Sequence, residues 1–150
     1  MNELNEKILD WANEKRILAK STPKKQIVKT LEELLETAIA VGRGDIEEIK
    51  DGIGDVYVTL VIHAALTGTS IYLHYPLQDY SEKQIFEQLA KCIIDIHHDE
   101  MRGDYGIAIE LLSQLAKHHG LTLRECVEHS YGVISQRTGS MIDGTFVKDK

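Results

Sequence analysis

The sequence predicts an all-α protein: helical hydrophobic periodicity dominates, capping signals divide the chain into about six helices, and no convincing run alternates residues as a strand would. The first helix is predicted over residues 2–19. Thr22 followed by Pro23 reads as an N-cap with proline at the first helical position, where its missing N–H costs nothing, and opens a second helix that stops near Gly42 and Gly44. Asp45 caps a third, which runs to about Thr67. Residues 68–80 hold Gly68, Pro76 and three aromatics without a clear period and read as a connection. Ser81 with Gln84 forms a capping box for a fourth helix, and Gly103 with Asp104 separates it from a fifth that ends at Gly120. Thr122 with Glu125 opens the sixth, expected to reach about Arg137. The remaining GSMIDGTFVKDK reads as an extended or hairpin-like tail, and the chain shows no internal repeat or low-complexity segment.

A length of 150 residues suits one domain, 1–150, with a core that needs no metal or disulfide staple. The longest apolar stretch, residues 56–66, contains Thr59 and His63 and is too short to span a bilayer. Glu3, Glu6 and Asp10 stand where a secretory signal would need a basic start and an apolar run, so the expectation is a cytoplasmic protein with no membrane partner. Cys92 and Cys126 form no close-spaced pair and read as reduced core thiols. The formal net charge of -7 argues against a nucleic acid polymer as partner, because affinity for a phosphate backbone comes mainly from clustered lysine and arginine. An anionic substrate would need a cation to bridge it to so acidic a protein.

The second helix carries KTLEELLETA, with Lys29, Glu32, Glu33 and Glu36 on one side and Ile27, Leu31, Leu34 and Ala38 on the other. Alone this is an ordinary amphipathic helix with a solvated acidic face. The third helix changes the balance. Between Ile53 and Thr67 its only formally charged residue is Asp55, and the apolar neighbours cover every side. Glu48, Asp51, Asp55, Val58 and Ile62 follow a three-four spacing, so acids head a stripe that turns apolar. Burying ionised carboxylates costs several kcal/mol each without compensation. Either basic side chains such as Lys29 or a hard divalent cation with oxygen ligands can supply it, and helix pairing across a short turn would bring Glu33 and Glu36 near Asp51 and Asp55. Physics alone leaves the two compensators level.

These residues carry a resemblance. EELLE over residues 32–36, followed by DGIGDVYVTLVIHAAL from Asp51, looks like the EExxE and ExxD motif pair of MazG-like pyrophosphohydrolases. DWANEKRI with Trp11, then Gln26 and Lys29, is similar to the helical lead-in of that family. HGLTLRECVEHSYGVISQRTGSMIDGTFVK resembles the last helix and RxGxM tail of its phage and bacterial members. Two positions depart: Gly52 stands where the ExxD pattern has Glu, with Asp51 or Glu48 as the nearest acids, and Gly132 stands where many relatives place a substrate-contacting Asn.

The resemblance implies Mg²⁺-dependent hydrolysis of a nucleoside triphosphate to the monophosphate and pyrophosphate, with Mn²⁺ as an alternative ion. It implies Glu33, Glu36 and Asp55 as metal ligands with Asp51 as a fourth. Glu32 is implied to orient or deprotonate the attacking water, and Lys29 and Arg137, which could equally be surface helix charges, to contact phosphate; Trp11 could stack on the base, although a lone tryptophan on an amphipathic helix is more often core. It also implies a homodimer or homotetramer, and the third helix, apolar nearly all round, points the same way because it needs cover on many sides. Which base is preferred is not legible.

Two other classes compete. His97, His98, Asp99 and Glu100 form an HHDE cluster that would suit an HD-type metal phosphohydrolase if His63, His74, His118 or His119 joined it, although polar residues before a glycine are more often a solvated helix end. The Asp95 to His98 spacing occurs once, whereas a di-iron bundle needs such a motif on two helices. A non-catalytic dimerisation or regulatory module on the same fold is the third reading, and Gly52 and Gly132 keep it open.

Overall fold

Capping chemistry sets most helix ends where the sequence predicts them in the computed structural model, which describes residues 1–71, 76–99 and 104–150. In chain order the elements are α1 (Asn2–Glu14), α2 (Ile17–Lys20), α3 (Pro23–Arg43), α4 (Ile46–Leu66), α5 (Glu82–Asp99), α6 (Asp104–His118), α7 (Leu123–Ser135), β1 (Gly139–Ile142) and β2 (Thr145–Lys148). The Thr22 hydroxyl accepts from the Lys25 amide at 3.3 Å and the Asp45 carboxylate from the Glu48 amide at 3.2 Å. Both capping boxes form: Ser81 exchanges hydrogen bonds with Gln84, and Thr122 with Glu125. Gly44 ends α3 at φ +68, a left-handed conformation that an L side chain disfavours, while the Asp45 amide returns to the Ala40 carbonyl. Gly103, the expected break before α6, lies outside the described residues.

The helix expected over residues 2–19 divides in two. Arg16 adopts φ 62, and this left-handed residue turns the chain between α1 and α2. Periodicity cannot reveal such a corner, since apolar spacing continues through it. Its effect is to bury Ile17 on the short α2, which packs against α1, α4 and β2. The tail is a hairpin: β1 and β2 pair antiparallel with Ile142 opposite Thr145, and the intervening Asp143 and Gly144 both have positive φ, the two-residue turn that matches strand twist.

Helix α4 is the centre of the molecule and packs against α1, α2, α3, α6 and α7. Ile49, Ile53, Val56, Tyr57 and Leu60 are all but inaccessible to solvent, each large apolar side chain contributing roughly 1.5–3 kcal/mol. Two glycines let its neighbours approach. A Cβ at Gly52 would collide with the Thr37 hydroxyl and stand 3.2 Å from the Thr37 Cα on α3. A Cβ at Gly54 would collide with Ser130 Oγ and the Cys126 carbonyl oxygen, and stand 2.8 Å from that carbonyl's carbon, on α7. Cys92 and Cys126 are both buried.

Because α4 is covered within one chain, its all-round apolar character does not itself call for a second subunit. That ground for an oligomer fails. A different feature is exposed: Val28, Leu35 and Ile39 on α3 are 58%, 66% and 53% accessible and lie on one helical stripe.

Gly54→Ala is expected to destabilise the protein by about 1–3 kcal/mol or more, because the new methyl meets α7 backbone. Gly132→Ala, which points into open space on α7, should stabilise it by roughly 0.5–1 kcal/mol. Urea denaturation of the two variants beside the parent checks both signs.

Candidate functional site

Helices α3 and α4, joined through Gly44 and Asp45, lie side by side and present their acids to a shared cavity of about 390 Å³. Lys29, Glu32, Glu33 and Glu36 enter it from α3; Asp51 and Asp55 enter from α4, followed along the same stripe by Val58 and Ile62. Arg137 lines it from just beyond α7, and Trp11 from α1. The residues that the MazG-like resemblance implies as ligands, catalytic group and substrate contacts, Glu33, Glu36, Asp51, Asp55, Glu32, Lys29, Arg137 and Trp11, therefore border one space. Glu48 is exposed and does not line the cavity, so Asp51 is the acid that accompanies Asp55.

Gly52 has a packing reason. A glutamate at that position would drive into Thr37, so the α3–α4 contact is incompatible with the ExxD residue one step away from Asp51. Gly132 is exposed and outside the cavity wall.

The electrostatics are unevenly balanced. Lys29 Nζ lies 2.8 Å from Glu33 Oε1 and 3.3 Å from Glu32 Oε1. Burial opposes the Lys29 charge, but these two carboxylates outweigh it and hold the ammonium above the ordinary lysine range. Arg137 reaches only to 3.9 Å from Asp55 Oδ2, and the Asp55 side chain is 12% exposed. Burial, reinforced by Asp51 and Glu33, pushes the Asp55 carboxyl up to about 7 despite Arg137 and the Ser130 hydroxyl. Burial and then Glu33 likewise raise the Glu36 carboxyl. The Nε2 of His129 stands 3.4 Å from Asp51 Oδ1, close enough to pair when protonated but not aligned for a hydrogen bond, and that buried oxygen has no hydrogen-bond partner among the described residues.

This donor set fits Mg²⁺ in kind: the acids lining the cavity offer carboxylate oxygens, one of them without a hydrogen-bond partner among the described residues, and burial with the neighbouring acids opposes ionisation of Asp55, a cost that a cation would relieve. It is not a finished cage. Among the described residues no three histidine, cysteine or acidic side chains are gathered as a ligand set, since Glu33 leans to Lys29 and Asp55 faces Arg137.

Several residues at the cavity escaped the sequence reading. Ser130, fully buried, donates to the Asp51 carbonyl at 3.0 Å and, with His129 beside the Asp51 carboxylate, backs the acidic part of the cavity from α7 without lining it. Its signal was a lone hydroxyl on the apolar stripe of Cys126, Ser130 and Ile134. Lys25, Thr59, Met141, Thr145, Phe146 and Lys148 border the cavity itself. Only the folded hairpin brings the last four there.

The histidine cluster takes a different form. His97 and His98 are exposed at the end of α5, whereas His63 is buried, hydrogen-bonded to Tyr105 and held down to about 4 by burial and His97. His118 and His119 engage the Tyr80 carbonyl and Glu82 at the opposite end of α5. His74, Glu100 and the Asp99 side chain lie outside the described residues.

No family model and no solved structure matches the chain. A curated relative resembles part of it: an uncharacterised 18.2 kDa protein from the rep-hol intergenic region of Haemophilus phage HP1 (strain HP1c1), 38% identical over 64 residues. The match spans 43% of this chain and 39% of that protein. No helix among the described residues is long and apolar enough to cross a membrane.

Because the Asp55 carboxyl titrates higher in the folded chain than in an unfolded one, the folded state holds the extra proton between about pH 4 and pH 7. Stability without divalent cations should therefore fall as pH rises through that window, by on the order of a few kcal/mol for this group. Asp55→Asn should remove much of that slope and melt higher than the parent at pH 8, as thermal denaturation in a chelator would register.

Proposed function

We propose that the chain hydrolyses nucleoside triphosphates between the α and β phosphates in this cavity, in a reaction that requires Mg²⁺ or Mn²⁺. The observation that carries the reading is the convergence of Glu32, Glu33, Glu36, Asp51, Asp55, Lys29, Arg137 and Trp11 on one 390 Å³ space that Phe146 also lines. A nucleotide is a small molecule that offers phosphates to the charged groups and a base to the aromatic ones. Glu33, Glu36, Asp51 and Asp55 would hold the ion. When bound it neutralises carboxylate and phosphate charge and favours departure of pyrophosphate.

The chain's own part is positioning. Glu32, at the mouth with its side chain 55% exposed, accepts a hydrogen bond from the attacking water and orients it or takes its proton. Lys29 and Arg137 turn toward phosphate oxygens, giving up Glu33 and Asp55 as partners. Water attacks the α phosphorus in line, the bond to the bridging oxygen breaks, and the monophosphate and pyrophosphate leave.

The Lys29–Glu33 and Arg137–Asp55 pairs support a second reading, in which basic side chains alone neutralise the acids and the protein is a non-catalytic module. A pyrophosphate-release screen over ribo- and deoxynucleoside triphosphates with Mg²⁺ and Mn²⁺ separates the two. The enzyme reading expects turnover of at least one nucleotide, loss of that turnover by a factor of at least about a hundred in Asp55→Asn, and a higher melting temperature with Mg²⁺ and a non-hydrolysable analogue. Unchanged melting and no release across the panel would leave the module.

A homodimer or homotetramer is part of the proposal, now through the exposed α3 stripe of Val28, Leu35 and Ile39. Light scattering at micromolar concentration should give a multiple of the 16.9 kDa chain, and Leu35→Glu should return the chain mass.

A further inference from the structure

We infer that the C-terminal hairpin is the base-reading wall of this cavity, Phe146 and Trp11 forming an aromatic corner that takes a nucleobase, with the indole N–H donating to an acceptor on the base edge. This rests on the reading of the cavity as a nucleotide site and adds an element and a specificity group to it. Three observations carry it. The first is placement: Met141 and Phe146 sit opposite each other in the β1–β2 register, so both fall on one face of the hairpin, and both line the cavity. Phe146 meets Trp11 edge-on, with ring centroids 5.9 Å apart and planes 70° from parallel.

The second is an unmet donor. Trp11 is 8% exposed and lines the cavity, yet its buried Nε1–H has no hydrogen-bond partner among the described residues. Buried tryptophan usually finds one, and leaving it unpaired costs about 1–3 kcal/mol. A ligand with an aromatic face and a ring or carbonyl acceptor meets both needs, whereas a phosphate or sugar alone accepts the hydrogen bond but offers the rings no aromatic face.

The third is how the hairpin is held. Two strands by themselves are marginal in water. Here the Gly144 turn abuts α2 and α3: a Cβ at Gly144 would come within 2.8 Å of Lys25 Nζ and 3.1 Å of the Lys20 carbonyl oxygen. The Arg16 corner that creates α2 thus gives the hairpin its seat, and the docked β2 carries Thr145, Phe146 and Lys148 to the cavity.

Trp11 is the single tryptophan of the chain, so its fluorescence reports on this corner directly. The test titrates the metal-free full chain with the common ribo- and deoxynucleosides, and in a separate arm follows the binding of inorganic tripolyphosphate with Mg²⁺ by thermal shift, for the parent and Phe146→Leu. Leucine keeps apolar volume and removes the ring. The expected result is a saturable change in emission with at least one nucleoside, weakened tenfold or more in Phe146→Leu, with tripolyphosphate binding unchanged by the substitution. Trp11→Phe, which keeps a ring and removes the N–H, should weaken the same nucleoside by calorimetry.

Emission that no nucleoside alters, or a titration equally strong in Phe146→Leu, overturns the inference whatever the tripolyphosphate arm shows. Nucleoside binding that responds to Phe146 while tripolyphosphate fails to bind supports the base wall and counts against the pyrophosphohydrolase.

Discussion

The close approach of α4 to α3 and α7, which Gly52 and Gly54 permit by lacking side chains, is the constraint on which the rest of the molecule depends. It draws the acids of α3 and the head of α4 toward the same space and turns α7 so that Ser130, His129 and Arg137 face them. The price is electrostatic. A carboxylate on a helix sheathed in isoleucine, valine and tyrosine loses most of its water, and Asp55 keeps its proton at a pH where an exposed aspartate would long have lost it. Packing and charge are therefore opposed in α4.

The basic residues around the cavity ease this opposition without removing it. Lys29 engages Glu33 and Glu32 closely, but Arg137 stops at 3.9 Å from Asp55, and one Asp51 oxygen has no hydrogen-bond partner among the described residues. Such a set is poised rather than satisfied. Closed pairs would be expected of a purely structural network, because a half-satisfied buried network is less favourable than an apolar one. The proposed uptake of a cation rests on this residual demand for positive charge.

The part of the cavity wall that carries Trp11 and Phe146 has a different origin. It is assembled from pieces distant in the chain: Trp11 from α1, Ile17 from the short α2, and the hairpin after α7. The left-handed Arg16 and the Asp143–Gly144 turn are the two backbone features that let these pieces meet. Neither contributes chemistry, and both set where the aromatic rings lie.

Much of the fold was legible in the sequence because capping and periodicity are local. Thr22–Pro23, Asp45, Ser81–Gln84 and Thr122–Glu125 mark helix starts through hydrogen bonds made within a few residues of themselves, so no tertiary information is needed to read them. The acidic stripe of α4 was legible for a similar reason, since a three-four spacing fixes the face on which Asp51 and Asp55 stand. What the sequence could not supply was anything that depends on which surfaces meet. The Arg16 corner interrupts a helix without interrupting its apolar pattern, and α4 proved to be covered by its own chain because five other helices pack around it. Gly52 looked like a missing ligand and is a contact with Thr37, while Ser130 and Phe146 acquire their place only when α7 and the hairpin dock. Local hydrogen bonding and helical geometry thus determined the elements and the acidic face, and tertiary packing decided what that face looks onto, because close contact is a property of pairs of surfaces that neither segment encodes alone.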